Sequence, residues 1–583
     1  MDRRELWNLT RGQRLRYAGA IVAMAAGYAC LYGVPYVQGR ALDEAIERGA
    51  GGLLAAAALC VALTVAGGAL LYLRGRWAAL ASETVVKQLR DRLYLHLESL
   101  PTAFHDRADT GDLVQRCSSD VETIRVFFAA QVVEIGRGVL MVALALPVLL
   151  HLDGTLTLYA VCLLPVIFTL AFFFFRGVQR LFTLTDEAEG EMTTVLQENL
   201  TGIRVVRAFG RQEHEAERFG EKNALYRDRH ERLFRWMGHY WGVADFVSFL
   251  QMGLALFGGC LLLQRGAVSI GTVFTFWVYV SMLLFPVRHL GRLLTDLGKA
   301  LVALRRVREI LGEAEEGALD DAGPAERLAG GIEFRDVKFR YGREGAPVVD
   351  GLTLSVRPGE TLALMGPPGA GKTTLVALLL RLYEPDAGAI LLDGRDLSAL
   401  PRRWLRAQVG VSLQEPFLYS RTVGANVRFG RGSATTLEVE AAASDAAIHG
   451  SIAGLARGYD TLVGERGVML SGGQRQRVAL ARALVRDPAI LVLDDALSAV
   501  DTGTETRILD ALRRRHGRRT TIVIAHRLST VVHADRIAVL EKGRVVEVGS
   551  HRDLAACNGP YARLVRIQGA IEEEVAEARR AGS

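Results

Sequence analysis

Gly366-Pro367-Pro368-Gly369-Ala370-Gly371-Lys372-Thr373 decides half of the fold. It fits G-x-x-x-x-G-K-[ST], a loop whose backbone N–H groups close around phosphate oxygens. Thr-Leu-Ala-Leu-Met at 361–365 precedes it as an apolar run of strand length, and residues 375–382 follow as a helix-forming run. Strand, glycine-rich loop and helix in that order are what the motif needs, because the helix N-terminus adds its positive dipole end to the loop. Gly366, Gly369 and Gly371 allow the close approach. Lys372 is placed to neutralise the β- and γ-phosphates, Thr373 to ligate Mg²⁺, and Thr374 joins them in holding ATP. An ordinary glycine-rich turn needs neither the lysine nor the hydroxyls.

Downstream, Ile490-Leu491-Val492-Leu493 reads as a buried strand ending in Asp494-Asp495. A carboxylate at a strand end beside a phosphate loop is the usual Mg²⁺ partner, which points to Asp494. Just before this strand comes Leu470-Ser471-Gly472-Gly473-Gln474, continued by Arg475-Gln476-Arg477. That pentapeptide resembles the signature of ABC ATPases, whose glycines and helix N-terminus bind a γ-phosphate presented by another domain. The remaining motifs follow the family order. Tyr341 resembles the aromatic residue that stacks on adenine. Gln414, after the strand-like 409–413, resembles the glutamine that meets Mg²⁺ and the coupling helices. Ser498-Ala499-Val500-Asp501 resembles the D-loop, and His526, after 521–525, the switch histidine. Any one of these alone is an ordinary structural residue, but together they identify the chain as similar to an ABC half-exporter from its first basic residues to about residue 568.

One position departs from the family pattern. The resemblance implies Glu after the Mg²⁺-binding Asp, polarising the attacking water; here Asp495 stands there. Asp is shorter by one methylene, roughly 1.5 Å, and a misplacement of about 1 Å can cost on the order of 100-fold in rate. ATP still has its binding residues, whereas hydrolysis with Asp495 and His526 as the catalytic pair is impaired. Members of this family pair head to tail, one chain's phosphate loop facing the other's signature. A degenerate site on one face and an intact 471–474 signature on the other therefore imply a heterodimer with a second half-transporter that supplies a Glu. A homodimer with two slow sites is the alternative.

The N-terminal half reads as membrane. The 583-residue chain is too long for one core and combines 23% charged residues with a mean hydropathy of +0.19. Runs of about 20 apolar residues cross a hydrocarbon core of roughly 30 Å, and 17–37, 53–73, 156–175 and 243–263 qualify. Two weaker runs complete six spans: 126–150, which carries Glu134 and Arg137, and one from Thr272 that is interrupted by Pro286 and Arg288. Residues 74–125 hold eight Lys or Arg and 176–242 hold eleven, while the opposite connections are short and poor in charge. The basic segments face the cytosol by the positive-inside rule, as do both termini. They are polar with few breakers, so each is expected to form a helical hairpin, two helices of about 25 residues reaching roughly 38 Å below the membrane. Phe104-His105-Asp106-Arg107 and Gly202-Ile203-Arg204-Val205 resemble the loops around the family's coupling helices.

The expected architecture is a six-helix α-helical polytopic membrane domain of exporter type over 1–310 and a linker over 311–331. An α/β P-loop domain of ABC type follows over 332–568, then a charged tail over 569–583. Ile332-Glu333-Phe334-Arg335-Asp336-Val337 predicts a strand at a sheet edge. The six cysteines form no C-x-x-C pair and are read as packing residues. The implied function is ATP-driven export of an amphipathic solute, such as a drug, lipid or peptide, across a bacterial-type cytoplasmic membrane. Partners are membrane lipids and no nucleic acid. Import (of a siderophore, for example) and an ATP-gated channel or sensor are the competing readings. Arg288 and Arg292, four residues apart on one face of the last span with His289 between them, are candidates to favour an anionic or zwitterionic head group.

Overall fold

A computed structural model describes residues 12–317, 326–342, 345–514, 517, 519–525 and 527–567, without the side chains of 130, 132, 133, 135 and 285–295. Its contacts divide the chain into two units: Met1–Ser99 with Ala108–Glu313, and Leu100–Arg107 with Ala314–Ser583.

The first unit is helical. Its main helices are α1 (Arg14–Arg48), α2 (Leu53–Ser99), α3 (Val132–Leu152), α4 (Leu164–Thr201), α5 (Gln212–Gln264) and α6 (Ile270–Leu311). Among the described residues, four helical stretches, 14–48, 50–99, 154–201 and 212–264, are long and apolar enough to cross a bilayer. Shorter apolar helices, Gly136–Leu152 and Ile270–Leu284, fall where the two weaker spans are expected. The charges that weaken the first of these neutralise each other, since Arg137 sits 2.6 Å from Glu134 one turn away. The interruption at Pro286 is one of hydropathy only, because α6 stays helical to Leu311. Nor are the spans and the segments expected to be cytosolic separate elements. α2 runs unbroken from the apolar stretch past Arg74 to Ser99, burying Ala78, Ala81, Ser82, Val85, Val86, Leu89 and Leu93 at helical spacing.

Two contacts explain how the bundle tolerates polar and small residues. Before α4 the helix breaks at Cys162 and Leu163, because Pro165 has no N–H for the Val161 carbonyl. The fully buried Gln251 of α5 inserts its carboxamide into the opened turn. Its oxygen accepts from the Leu163 N–H at 2.8 Å and its nitrogen donates to the Tyr159 carbonyl at 2.6 Å. In lipid, backbone groups must be satisfied inside the protein. Gln251→Leu keeps the volume and strands both groups, at about 1–3 kcal/mol each. The unfolding midpoint of the detergent-solubilised chain should fall while ATP affinity is unchanged; an unchanged midpoint would show that the graft is dispensable. At the end of α1, Gly39 and Gly271 touch so closely that a Cβ on Gly271 would lie 1.9 Å from the Gly39 carbonyl oxygen. Asp43 accepts from the Gly271 N–H at 2.7 Å and so holds the start of α6.

The described residues of the second unit form two sheets. β1 (Ile332–Phe339), β2 (Val349–Val356), β4 (Ala387–Leu392) and β5 (Arg395–Asp396) form an antiparallel sheet in the order β2-β1-β4-β5. β1 is therefore an inner strand, paired on both sides, and not the expected edge. Alternation reports which face is buried, and both inner and edge strands of a half-exposed antiparallel sheet show it. The second sheet comprises β3 (Thr361–Met365), β6 (Val409–Ser412), β7 (Ile490–Asp494), β8 (Thr520–Ile524), β9 (Arg536–Glu541) and β10 (Arg544–Gly549), in the order β10-β9-β3-β8-β7-β6. All its neighbours are parallel except β10 with β9. β7 is buried along its whole length, as a strand covered on both faces must be.

Candidate functional site

The parallel sheet brings the motif residues to one end, because β3, β6, β7 and β8 run the same way and each motif follows a strand's carboxyl end. After β3 the chain enters the glycine loop and then α7 (Lys372–Leu379). Gly366, Gly369 and Gly371 all have positive φ, at 146°, 79° and 95°. A Cβ on Gly366 would lie 2.2 Å from the Leu540 carbonyl oxygen, and one on Gly371 2.9 Å from that of Val348. Only glycine fits at these two positions. Lys372 is 7% exposed, and its amino group donates to the carbonyls of Gly366 at 2.8 Å and Pro367 at 2.9 Å. Burial pulls its pKa below the usual lysine value, against the carboxylates of Asp494 and Asp495, which favour the charged form.

β7 delivers Asp494, 2% exposed, to this loop from the far side of β8. Thr373 Oγ1 donates to Asp494 Oδ2 at 2.9 Å. A hydroxyl and a carboxylate converging at a phosphate loop are hard oxygen donors of the kind Mg²⁺ prefers, so this pair fits the expected ion. Asp495 follows at φ 47°, with its N–H donating to the Ile524 carbonyl at 2.9 Å. Tyr341 is half exposed, sits edge-on to Phe339 and Tyr383, and makes a 3.1 Å hydrogen bond to Thr374 Oγ1. Gln414 lies exposed in a bend after β6.

Ser471 caps α8 (Gly472–Leu484) in a reciprocal box. Its hydroxyl accepts from the Gln474 N–H at 3.3 Å, and the Gln474 side chain accepts from its N–H at 2.9 Å. Gly473 faces Ala499, where a Cβ would lie 2.6 Å from the carbonyl oxygen. Asp501 caps α9 (Thr502–Arg513) by accepting from the Thr504 N–H at 2.9 Å, which holds its carboxyl below the usual range. No hydrogen bond among the described residues joins the 471–474 turn to the glycine loop; the turn is tied to 498–499 instead. The residue that ties it is Gln476, 5% exposed, which in the sequence alone is only a continuation of the signature. A glutamine inside an otherwise basic helix start was the available signal. His526 and the side chains of Arg288, His289 and Arg292 lie outside the described residues.

The family profile of the ABC transporter transmembrane region matches residues 18–287, and the ABC transporter profile matches 349–498. The chain belongs to the ABC transporter family. Its fold is similar to that of a bacterial Atm1-family ABC exporter solved with ATP bound: TM-score 0.84, 30% identity, 96% of this chain and 98% of the other covered. It is 34% identical over 498 residues to YgaD of Bacillus subtilis, an ATP-binding/permease protein named for multidrug export, covering 85% of this chain and 86% of that one. A Staphylococcus aureus protein named in the same way is 35% identical over 500 residues, with 85% and 86% covered. This ABC transporter is thus a multi-pass membrane protein of exporter type whose ATP-binding domain is an ATPase coupled to transport. Helix Thr102–His105, from the first segment expected to lie near a coupling helix, groups with the ATP-binding unit, where Tyr383 donates a hydrogen bond to Asp106.

Proposed function

We propose that this ABC transporter exports an amphipathic solute from the cytosol, as the subunit that carries the weak hydrolytic site of a heterodimer. The observation that carries this reading is Asp495 in the position where the family has Glu, beside a complete phosphate loop and a fully capped 471–474 signature. The relatives named for multidrug export support the solute class. In this reading the membrane domain is 1–310, the linker 311–331, the ATP-binding domain 332–568 and the tail 569–583. The basic segments and both termini face the cytosol.

The residues divide the work as follows. Gly366, Gly369 and Gly371 turn backbone N–H groups toward the phosphates, Lys372 neutralises them, and Thr374 adds a hydroxyl. Tyr341 offers a ring face to adenine. Thr373 and Asp494, with Gln414, hold Mg²⁺, which when bound screens the phosphate charge. Asp495 and His526 orient the attacking water, with Asp495 held short of its target by one methylene. Ser471, Gly472, Gly473 and Gln474 complete the partner's ATP site, with Asp501 framing the contact. Arg288 and Arg292 remain candidates for meeting an anionic head group at the inner mouth of the pathway.

The test is vectorial. Inside-out membrane vesicles containing the chain and its partner should accumulate an amphipathic dye on addition of ATP and Mg²⁺, and vesicles with Lys372→Ala in both subunits should not. Accumulation in right-side-out vesicles loaded with ATP would establish import instead. ATP-dependent, non-accumulative equilibration would establish a gated channel.

A further inference from the structure

Among the described residues, the hydrogen bonds between the signature helix and the loop after β7 come from one side chain. Gln476 sits on the second turn of α8, and both ends of its carboxamide are used. Its oxygen accepts from the Ala499 N–H at 3.0 Å. Its nitrogen donates to Ser498 Oγ at 3.0 Å and lies 3.5 Å from the Asp495 carbonyl oxygen. Ser498 Oγ in turn donates to that same carbonyl at 2.9 Å, and the Ser498 N–H reaches it at 3.2 Å. The Asp495 peptide is therefore held from three directions on its carbonyl side, and by β8 through Ile524 on its N–H side. Such a hold has a purpose at this position. Asp495 has φ 47°, a backbone region that L-residues enter at a cost and keep only where the surroundings enforce it. From the opposite side Arg527 donates to the carbonyls of Ser498 at 2.7 Å and Val500 at 3.3 Å, and pairs with the buried Glu505 at 3.6 Å.

We propose that Gln476 is a positioning residue for hydrolysis: its carboxamide fastens the 495–499 loop to the signature helix, so that the 471–474 turn and the Asp495 carboxylate move as one body. This rests on the reading above, in which one chain gives Asp495 to its own ATP and the 471–474 turn to its partner's. Gln476 then lies between the two sites within a single chain. Docking of the signature on one nucleotide is transmitted through Gln476 and Ser498 to the carboxylate that works on the other.

The experiment is a double-mutant cycle on the full-length chain in lipid nanodiscs, run in wild-type and Asp495→Glu backgrounds. The substitutions are Gln476→Met, close to glutamine in shape but without its two polar ends, and Ser498→Ala. Turnover and KM for ATP are measured with the affinity for a fluorescent ATP analogue and the unfolding midpoint. Gln476→Met should lower kcat about tenfold, as expected for a reacting group displaced by a fraction of an ångström. KM and analogue affinity should stay near their starting values, and the midpoint should fall by no more than the loss of one or two hydrogen bonds brings. Ser498→Ala should lower kcat less, and the double variant should be no slower than Gln476→Met, because both act through one connection. Gln476→Glu, which keeps the acceptor for Ala499, should recover part of the loss. Losses that multiply in the double variant would overturn the proposal. So would a fall of affinity and midpoint in step with kcat, which would make Gln476 a packing residue. The weak-site reading is judged separately, by whether Asp495→Glu speeds the parent chain; the Gln476 ratios are taken within each background.

Discussion

Lys372→Ala should lower ATP turnover by about 100- to 1,000-fold, the range seen when one preorganised charge or donor is removed from a reacting centre. The effect is this large because Lys372 supplies its charge from inside the loop. Its amino group is the cation that the glycine loop itself positions, anchored on the Gly366 and Pro367 carbonyls. Burial disfavours its charged form, and the neighbouring Asp494 and Asp495 carboxylates offset this. A triphosphate arriving at the loop adds negative charge and favours the ammonium further, so binding and charge reinforce each other. The measurement is best made in the Asp495→Glu background, where turnover is high enough to lose. Affinity for a fluorescent ATP analogue should fall with the rate. A Lys372→Ala chain that keeps half the parent rate would remove the loop from the mechanism.

Asp495→Glu should raise the turnover of the chain by on the order of 10- to 100-fold, the inverse of the loss expected from a misplacement of about 1 Å. The structure adds an opposing effect. At φ 47° Asp is among the residues best tolerated, whereas a residue whose side chain cannot bond its own backbone pays up to about 1–2 kcal/mol for left-handed backbone. The gain in rate should therefore come with a lower unfolding midpoint of the ATP-binding unit, while the Thr373–Asp494 contact and ATP affinity are kept. An increase in rate without any loss of stability would place the strain elsewhere. No increase at all would mean that chain length at 495 is not what limits hydrolysis.

What the sequence made legible was local. Residues 361–365 form β3 as expected, and the phosphate loop follows. The apolar run before Asp494 is β7, and the strands before Gln414 and His526 are β6 and β8. Each is a short pattern whose meaning depends on a few neighbours in the chain. The helix after the loop already begins at Lys372 and ends at Leu379, because the glycine loop itself supplies its first turn. Features decided by tertiary partners were not legible. Ile332 to Val337 alternates equally well inside a sheet and at its edge, and only β4 shows which. Gln251 is an unremarkable polar residue in an apolar run until the break at Cys162 and Leu163 is brought beside it. Gln476 is one of several polar residues after a signature until Ser498 and Ala499 fold back onto it. Hydropathy changes partway along α2 and α5 and suggests a division there, while their backbone hydrogen bonds run on.

In the proposed function this chain binds ATP competently and hydrolyses it poorly by itself. The direct measurement is ATP turnover by the purified wild-type chain in lipid nanodiscs, without a second half-transporter, beside its affinity for a fluorescent ATP analogue. Firm, Lys372-dependent binding is expected, with slow Mg²⁺-dependent hydrolysis that rises when a partner bearing Glu at the corresponding position is added. Rapid Mg²⁺-dependent hydrolysis by the wild-type chain alone would contradict it.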